Sequence, residues 1–224
     1  MKTEVMQIQI QKWISVYNHA KCTVIASGYD DELDWQESVK PELVTESSLL
    51  CDSAWVILCS GFREKTARKI FPGVSLSFFD WESAAVIAKN KEKCCEAARC
   101  YFNHKGKIEA IAQIAEIVYK AGFKKLYRAI LDDPLVELQK FPFIGPITVY
   151  HLAKNLGFAV AKPDRHLVRI AGLAGYSDVQ KFCSDISKET GDPVQIVDIV
   201  FWRYATLDNE YMATFESLNG SVTA

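Results

Sequence analysis

Apolar residues recur at helical spacing along almost the whole chain, and this periodicity limits the fold more than any other feature of the sequence. The first such stripe includes Val5, Ile8, Trp13 and Tyr17. Later stripes have the same period and are bounded by capping residues, prolines or glycines. Alternation typical of a strand is rare, and its best example, residues 22–27, is short. The sequence therefore predicts an all-α protein of about ten helices joined by short loops.

Length and composition are those of an ordinary globular protein. The 224 residues suit one large domain or two small lobes that share one cleft, and 49% of them are hydrophobic. The sequence contains no apolar run of about eighteen residues, so no membrane span is expected. Residues 1–13 do not resemble a signal peptide. We expect a cytoplasmic location, with the DNA, or a nuclear one in a eukaryote.

The charge distribution argues against one class of DNA-binding protein. A net charge of −2 and a pI of about 6.1 disfavour a protein that coats DNA, which would be broadly basic. They leave room for an enzyme with one local basic face. Residues 30–46 are acidic and residues 105–128 are basic. Such runs indicate either solvated helix faces or, for the basic one, a surface that attracts phosphates.

The cysteines indicate free thiols. An odd number, seven, in a chain without a secretory signal argues against a disulfide framework. Cys94, Cys95 and Cys100 lie near His104, but their spacing is poor for zinc. In a helix, Cys94 and Cys95 would point about 100° apart. We expect these thiols to be buried, with no metal.

Residues 141–157 differ from generic helical sequence. The order of a short helix, a turn rich in proline and glycine, and a second helix predicts a hairpin of helices. Gly145 is expected to give the turn its permissive backbone, and Pro146 suits the first turn of the next helix. Free N–H groups and the positive dipole end of that helix can bind an anion such as a DNA phosphate.

This segment resembles the helix-hairpin-helix DNA glycosylase superfamily, which includes endonuclease III and the adenine, 8-oxoguanine and alkyladenine glycosylases. The hairpin is Phe-Pro-Phe-Ile-Gly at residues 141–145, and Asp164 follows Gly145 by nineteen residues, with His166 two residues later. The resemblance implies a single domain over residues 1–224 with two helical lobes around a central cleft. One lobe comprises the N- and C-terminal helices, and a central lobe of about 50–160 contains the hairpin. It implies that Asp164 is the catalytic carboxylate.

A weaker resemblance extends upstream and adds candidate site residues. Residues 54–63 resemble the helix and loop that wedge into DNA, and 103–115 resemble the segment that follows. Phe62 and Arg63 are the expected wedge; the alternative is a core phenylalanine and a solvated arginine. Trp202 and Tyr150 are candidates for the base pocket or, alternatively, core aromatics. The residues expected to contact DNA are Phe62, Arg63, Phe143, Ile144, Gly145, Ile147, Thr148 and His166.

Three departures from the family pattern refine the prediction. Phe143 occupies the place of the family's first hairpin glycine. Ile147 occupies the place of the lysine with which bifunctional members also cut the strand. Only Cys183 follows the hairpin, whereas the family's iron–sulfur cluster uses four cysteines there. The resemblance therefore implies a monofunctional enzyme without a cofactor.

The predicted reaction is removal of a damaged or modified base from double-stranded DNA, carried out by a monomer. The enzyme extrudes the nucleotide, and Asp164 stabilises the positive charge that develops on the sugar or activates a water. Asp164 also fits a plain helix N-cap. Three alternatives remain: a bifunctional glycosylase with lyase activity from an unmatched lysine, a non-catalytic helix-hairpin-helix binder of DNA structure, and an unrelated α-helical interaction protein. Oxidised purines, alkylated purines and bulkier modified bases all remain open as substrates.

Overall fold

The computed structural model describes residues 2–221, and within that range the prediction of an all-helical fold is confirmed. This part of the chain contains fourteen α-helices, two short 3-10 helices and no strand. The 3-10 helices are Pro41–Leu43 and Phe79–Trp81. The α-helices are α1 (Lys2–Ala26), α2 (Asp30–Ser38), α3 (Glu46–Cys59), α4 (Glu64–Ser77), α5 (Ala84–Lys89), α6 (Lys91–Tyr101), α7 (Lys105–Ala121), α8 (Phe123–Asp132), α9 (Pro134–Leu138), α10 (Thr148–Asn155), α11 (Arg165–Leu173), α12 (Val179–Thr190), α13 (Val194–Leu207) and α14 (Tyr211–Ser221).

Residues 22–27, the best example of strand alternation in the sequence, form no strand, because nearly all of this segment continues α1. The reason is tertiary packing. Tyr17, Ala20 and Val24 follow one another at helical spacing and are fully buried on one side of the helix. The predicted stripe at Val5 and Ile8 begins α1, but these two side chains lie outside the described ones.

Unit 1 is a compact unit built from residues 1–39 and 159–224. Aromatic rings form the centre of its core. The Trp13 ring meets the rings of Phe182, Phe201 and Phe215 edge-on, with centroid distances of 5.4, 6.3 and 6.1 Å. All four side chains are fully buried. Edge-to-face contacts at such distances add to the stability that the burial of these large apolar rings provides.

Unit 2 is the second compact unit and comprises residues 40–158. Its central helix is α7, which packs against α3, α5 and α6. One face of α7 is apolar and buried, with Ile108, Ile111, Ile114 and Val118 at helical spacing. This packing fixes the N-terminal end of α7, which contributes to the candidate site.

Local signals begin and end the two helices on either side of the predicted hairpin. The Asp133 side chain accepts a hydrogen bond from Val136 N at the start of α9, and Pro134 occupies the first turn, as the sequence predicts. Gly157 follows α10 with a φ of 87°, a conformation that favours glycine. The hairpin segment is therefore bounded by a side-chain cap and a glycine stop.

The helices that the periodicity missed are α2, α8 and α14. Each of the first two buries few residues: α2 buries Leu33 and Gln36, and α8 buries Tyr127 and Ile130. In both helices the charged residues outnumber the buried ones, so the apolar stripe is too short to indicate a helix. None of the helices in residues 2–221 is long and apolar enough to cross a bilayer.

Candidate nucleic-acid interface and catalytic carboxylate

The turn between α9 and α10 has its unusual backbone at Phe143. The N–H of Ile144 donates to the carbonyl of Phe141 at 3.1 Å, which closes the turn. Phe143 adopts a φ of 63°, in the left-handed region, while Gly145 is not among the residues with positive φ. The expectation that Gly145 supplies the permissive backbone is therefore wrong. Phe143 takes the strained conformation, which costs about 1 kcal/mol or more.

Gly145 instead lies in the turn just before α10 and leaves open space around its Cα. Its carbonyl accepts the first helical hydrogen bond, from Val149 N at 2.9 Å. A Cβ built on Gly145 would meet no heavy atom within 4 Å. Neither backbone conformation nor packing inside the described residues demands glycine here. What glycine provides is unobstructed access to the main chain from outside.

The other hairpin residues divide into exposed and buried ones. Phe143 and Ile147 are 47% and 44% exposed, and Thr148 is half-buried at the first residue of α10. Ile144 is buried, so it presents little surface to an external ligand. Tyr150, one of the two candidates for the base pocket, is half-buried on α10.

Four rings connect the predicted wedge loop with the hairpin turn, and we call them the aromatic row: Phe62, Phe102, His104 and Phe143. Neighbouring ring centroids are 5.3, 5.7 and 6.2 Å apart. The two ends of the row are exposed, Phe62 by 42% and Phe143 by 47%. Two regions that the sequence singles out separately are therefore brought together within unit 2.

The buried side chain of Lys107 contacts residues 60–63, the loop between α3 and α4 that we call the wedge loop. Its Nζ donates to the carbonyl of Leu58 at 3.3 Å and also to that of Ser60, at the end of α3. The same Nζ lies 4.6 Å from the centre of the Phe62 ring. Burial lowers the pKa of the Lys107 ammonium. The carbonyls and the ring compensate for part of the hydration that the buried cation loses.

Cationic side chains directly follow two members of the aromatic row, Phe62 and His104, in the sequence. Arg63 follows Phe62 directly, is exposed and precedes the first residue of α4. Lys105 follows His104, and its Nζ lies 3.8 Å from a carboxylate oxygen of Glu109. His104 itself caps α7, because its Nδ1 accepts from Lys107 N at 3.3 Å. The row therefore combines exposed rings with positive charge.

Asp164 lies in unit 1 and is fixed at the start of α11. Its Oδ1 accepts from the N–H groups of His166 and Leu167 at 2.9 and 3.1 Å. Its Oδ2 lies 4.0 Å from Lys162 Nζ, and the side chain is 16% exposed. One oxygen is therefore used as a helix cap, while the other lies near a cation and accepts no hydrogen bond from the described residues.

His166 and Tyr211 form a second polar contact beside Asp164. His166 Nδ1 lies 3.2 Å from the Tyr211 hydroxyl, and its Nε2 accepts from Arg165 Nε at 3.2 Å. Burial lowers the pKa of His166, although the charge of Asp164 opposes this. With Nε2 as acceptor, the neutral ring donates from Nδ1 to the hydroxyl. The histidine is thus oriented from both sides.

Trp202 is part of the outer layer of the unit 1 core. It is half-buried and packs against the core cluster. The Arg203 guanidinium lies 4.6 Å from the Trp202 ring and 4.3 Å from the Tyr29 ring, and it forms an ion pair with Glu32 at 2.6 Å. Trp202 lies in unit 1 and Tyr150 in unit 2, so the two base-pocket candidates belong to different units.

Ile147, next to the hairpin turn, is apolar, and the lysines near the hairpin in the sequence have other contacts. Lys140 Nζ lies 2.5 Å from Glu137 Oε1, and Lys154 is buried. Lys162 faces Asp164.

Comparison with protein-family models, curated proteins and solved structures gave no match to this chain.

The cysteines are free, and no cluster of metal ligands forms. Cys94 and Cys95 are buried, as the sequence predicts, while Cys100 is exposed. Within the described residues, no three or more His, Cys, Asp or Glu side chains are grouped so that they hold a metal ion.

Two polar residues were missed by the sequence reasoning. In the sequence, Lys107 looks like any solvated lysine of an amphipathic helix, although the structure buries it. Asp52 lies on α3 between a cysteine and a serine. Burial raises the pKa of Asp52 to about 7, although a hydrogen bond from Asn155 Nδ2 at 3.4 Å opposes the rise. No spacing pattern in the sequence distinguishes either residue, because the groups that surround them are distant along the chain.

Proposed function

We propose that the chain is a DNA glycosylase, which binds damaged or modified double-stranded DNA and hydrolyses the N-glycosidic bond of one extruded nucleotide. The observation that carries the proposal is the state of Asp164. Its Oδ1 is held by two main-chain N–H groups, and its Oδ2 accepts no hydrogen bond from the described residues. A fixed carboxylate of this kind is what an oxocarbenium-like sugar requires.

The reaction assigns a separate role to each oxygen of Asp164. As the bond between C1′ and the base breaks, the electron pair leaves with the base and positive charge develops on the sugar. Oδ2 stabilises this charge or accepts a proton from the attacking water. Oδ1 keeps the carboxylate in place, so little reorganisation accompanies the step. His166 contacts a phosphate next to the extruded nucleotide, for which one ring N–H must exchange its present partner, Tyr211 or Arg165, for the phosphate.

DNA binding in this proposal depends on main-chain groups and rings more than on charge. The segment from α9 through the turn to α10 forms a helix-hairpin-helix whose open main chain at Gly145 approaches a phosphate. Phe62 and Arg63 enter the duplex and fill the space that the extruded nucleotide leaves. A chain with a net charge of −2 can bind DNA in this way without a broad basic surface.

The finer features of the proposal stay predictions. They are the two lobes around a central cleft, the helix-hairpin-helix, the monomeric state and the absence of lyase activity. Ile147 supports the last of these, since an isoleucine cannot form a Schiff base. A lyase that uses another lysine is the alternative.

A panel of duplex oligonucleotides, each with one oxidised, alkylated or bulky modified base, tests the proposal. We expect base release that leaves an abasic site, seen as strand cleavage only after alkali. Asp164→Asn is expected to reduce the single-turnover rate by about a thousandfold or more, while an asparagine still caps α11. Asp178→Asn is the matched control, because Asp178 caps α12 through a bond from Gln180 N at 2.8 Å.

The cap at Asp164 also suits a second function, a non-catalytic binder of DNA structure, because capping alone accounts for an aspartate there. In that case the chain binds the duplexes, no base is released from any of them, and Asp164→Asn binds as the original chain does. Strand cleavage without alkali, with borohydride trapping of a covalent complex, would instead establish a lysine mechanism.

A further inference from the structure

The segment that leads into Asp164 has no helix of its own to fix it. Residues 159–164 lie between α10 and α11 and belong to neither helix. Pro163, directly before Asp164, has no N–H group and so cannot donate a main-chain hydrogen bond. The position of the proposed catalytic carboxylate therefore depends on side chains that hold this segment from the neighbouring helices of unit 1.

Asp198 of α13 holds the main chain of this segment. Its Oδ2 accepts a hydrogen bond from Lys162 N at 2.6 Å, across 36 residues of sequence. Asp198 is 1% exposed. A buried carboxyl is costly unless hydrogen bonds compensate for its lost hydration, and a short bond from a main-chain N–H does so in part. The bond fixes Lys162, two residues before Asp164.

A second side chain holds the same peptide group from α12. Gln180 Nε2 donates to the carbonyl of Ala161, which belongs to the peptide bond between Ala161 and Lys162. The carbonyl and the N–H of one planar group are therefore both bound, one from α12 and one from α13. These two helices pack against each other, and the Ala161 side chain is fully buried in the unit 1 core.

Short-range contacts carry this position on to the carboxylate. Asp164 N donates to the carbonyl of Lys162 at 2.8 Å, and the ring of Pro163 restricts φ between them. The Asp164 side chain then accepts from His166 N and Leu167 N of α11, a helix that itself packs against α13. Few free dihedral angles separate the peptide group held by Asp198 from the proposed catalytic oxygen.

We infer that Asp198 is a positioning residue for base removal, with Gln180 as its partner on the same peptide group. The inference rests on the proposed function. Asp198 acts through the main chain of Lys162 and needs no contact with DNA. Its effect on the reaction is the placement of Asp164 against the sugar, where a displacement of about 1 Å can cost about a hundredfold in rate.

The test separates the rate of base release from the affinity for DNA, using the full chain and a duplex that it cleaves. Asp198→Leu removes the acceptor at similar side-chain size, so the single-turnover rate at saturating DNA should fall about a hundredfold. Affinity for a duplex with an uncleavable abasic-site analogue should change little, because no DNA contact is lost. A weaker affinity with an unchanged rate would overturn the inference.

A conservative variant and a matched control separate positioning from other roles. Asp198→Asn keeps an acceptor for Lys162 N, so its rate should return to within about tenfold of the original. Gln195→Leu should leave the rate unchanged, since Gln195 is buried on the same helix and its Oε1 has no partner among the described residues. If Asp198→Asn is as inactive as Asp164→Asn, Asp198 takes part in the reaction itself and the positioning role is wrong.

Hydrogen exchange in the absence of DNA checks the position of Asp164 directly. In Asp198→Leu, the amide of Lys162 loses its acceptor, and the amides of His166 and Leu167 lose a fixed one. All three should therefore exchange faster than in the Gln195→Leu control. Equal exchange at these amides in the two variants would contradict a positioning role.

Gln180→Met carries the test if Asp198→Leu does not fold, as judged by circular dichroism. This substitution removes the donor to the Ala161 carbonyl and leaves Asp198 in place. It should lower the single-turnover rate and leave the affinity for the abasic-site duplex nearly unchanged. An unchanged rate in this folded variant would overturn the inference.

Failure of the inference and failure of the proposed function give different results. Base release that requires Asp164 and continues at the original rate in Asp198→Leu would remove the inference and leave the proposed function standing. Release of no base from any modified duplex would overturn the proposed activity, and the role of Asp198 in it, whatever the exchange rates show.

Discussion

Lys107 Nζ lies 4.6 Å from the centre of the Phe62 ring. A buried ammonium therefore supports, from inside unit 2, the residue that the sequence marks as a DNA wedge. The same Nζ donates to the carbonyls of Leu58 and Ser60, so it fixes the main chain before the wedge as well as the ring. The loop is held in place before any ligand arrives, which reduces the entropy lost on binding.

Lys107→Met is expected to loosen the wedge loop. The substitution leaves two carbonyls without their donor, which costs about 1–3 kcal/mol, and removes a buried charge, which offsets part of that cost. Hydrogen exchange at Phe62 and Arg63 should become faster, and affinity for DNA should fall. Lys120→Met on the same helix is the control, because Lys120 is exposed and lies at the other end of α7. Equal exchange in both variants would contradict the role of Lys107.

Gly145→Ala is expected to weaken DNA binding without destabilising the protein. A Cβ at this position meets nothing within 4 Å, so the thermal midpoint should change little. A methyl group there obstructs the close approach of a phosphate to the main chain, so affinity at low salt should fall by about tenfold or more. Gly172→Ala is the control, since its Cβ is equally free of contacts. Unchanged affinity in Gly145→Ala would argue against a phosphate at the hairpin.

The left-handed backbone at Phe143 is expected to reverse the usual order of stability between an alanine variant and a glycine variant. At most positions alanine is more stable than glycine by about 0.5–1 kcal/mol. At a φ of 63° we expect Phe143→Gly to be more stable than Phe143→Ala, because only glycine escapes the strain. Urea denaturation of the two variants decides this. If the alanine variant is the more stable one, the turn is not strained at this residue.

The stability of the chain should depend on pH through Asp52. Its folded-state pKa, about 7, exceeds the ordinary value for an aspartate in an unfolded chain, about 4. The native state therefore binds more protons between these values, and the free energy of unfolding falls as the pH rises through that range, by at most about 4 kcal/mol. Asp52→Asn should remove the fall, while Asp132→Asn, at an exposed residue, should keep it.

The sequence predicts well where local signals decide the structure. Helical periodicity predicts the all-α fold, Asp133 and Pro134 predict the start of α9, and the position of Asp164 before an apolar run predicts a cap that is confirmed at α11. Each of these depends on neighbours within one turn of helix. The predicted cap does not depend on the proposed catalytic role, which stays a prediction.

Sequence reasoning fails where distant segments meet. Nothing in the sequence indicates that the rings of Phe102 and His104 connect Phe62 with Phe143. These contacts join the ends of α6 and α7 with two loops that are distant along the chain. The burial of Lys107 and Asp52 likewise arises from packing between helices that are far apart in sequence. Composition alone cannot distinguish these residues from solvated ones.

The construction of unit 1 from segments on either side of unit 2 sets an order of assembly during synthesis. Residues 40–158 are contiguous, so unit 2 can fold as soon as they have left the ribosome. Trp13 is made before unit 2 and must wait for Phe182, Phe201 and Phe215, which are made after it. The apolar face of α1 is therefore exposed while unit 2 is synthesised, and chaperones that bind nascent chains have a natural target there.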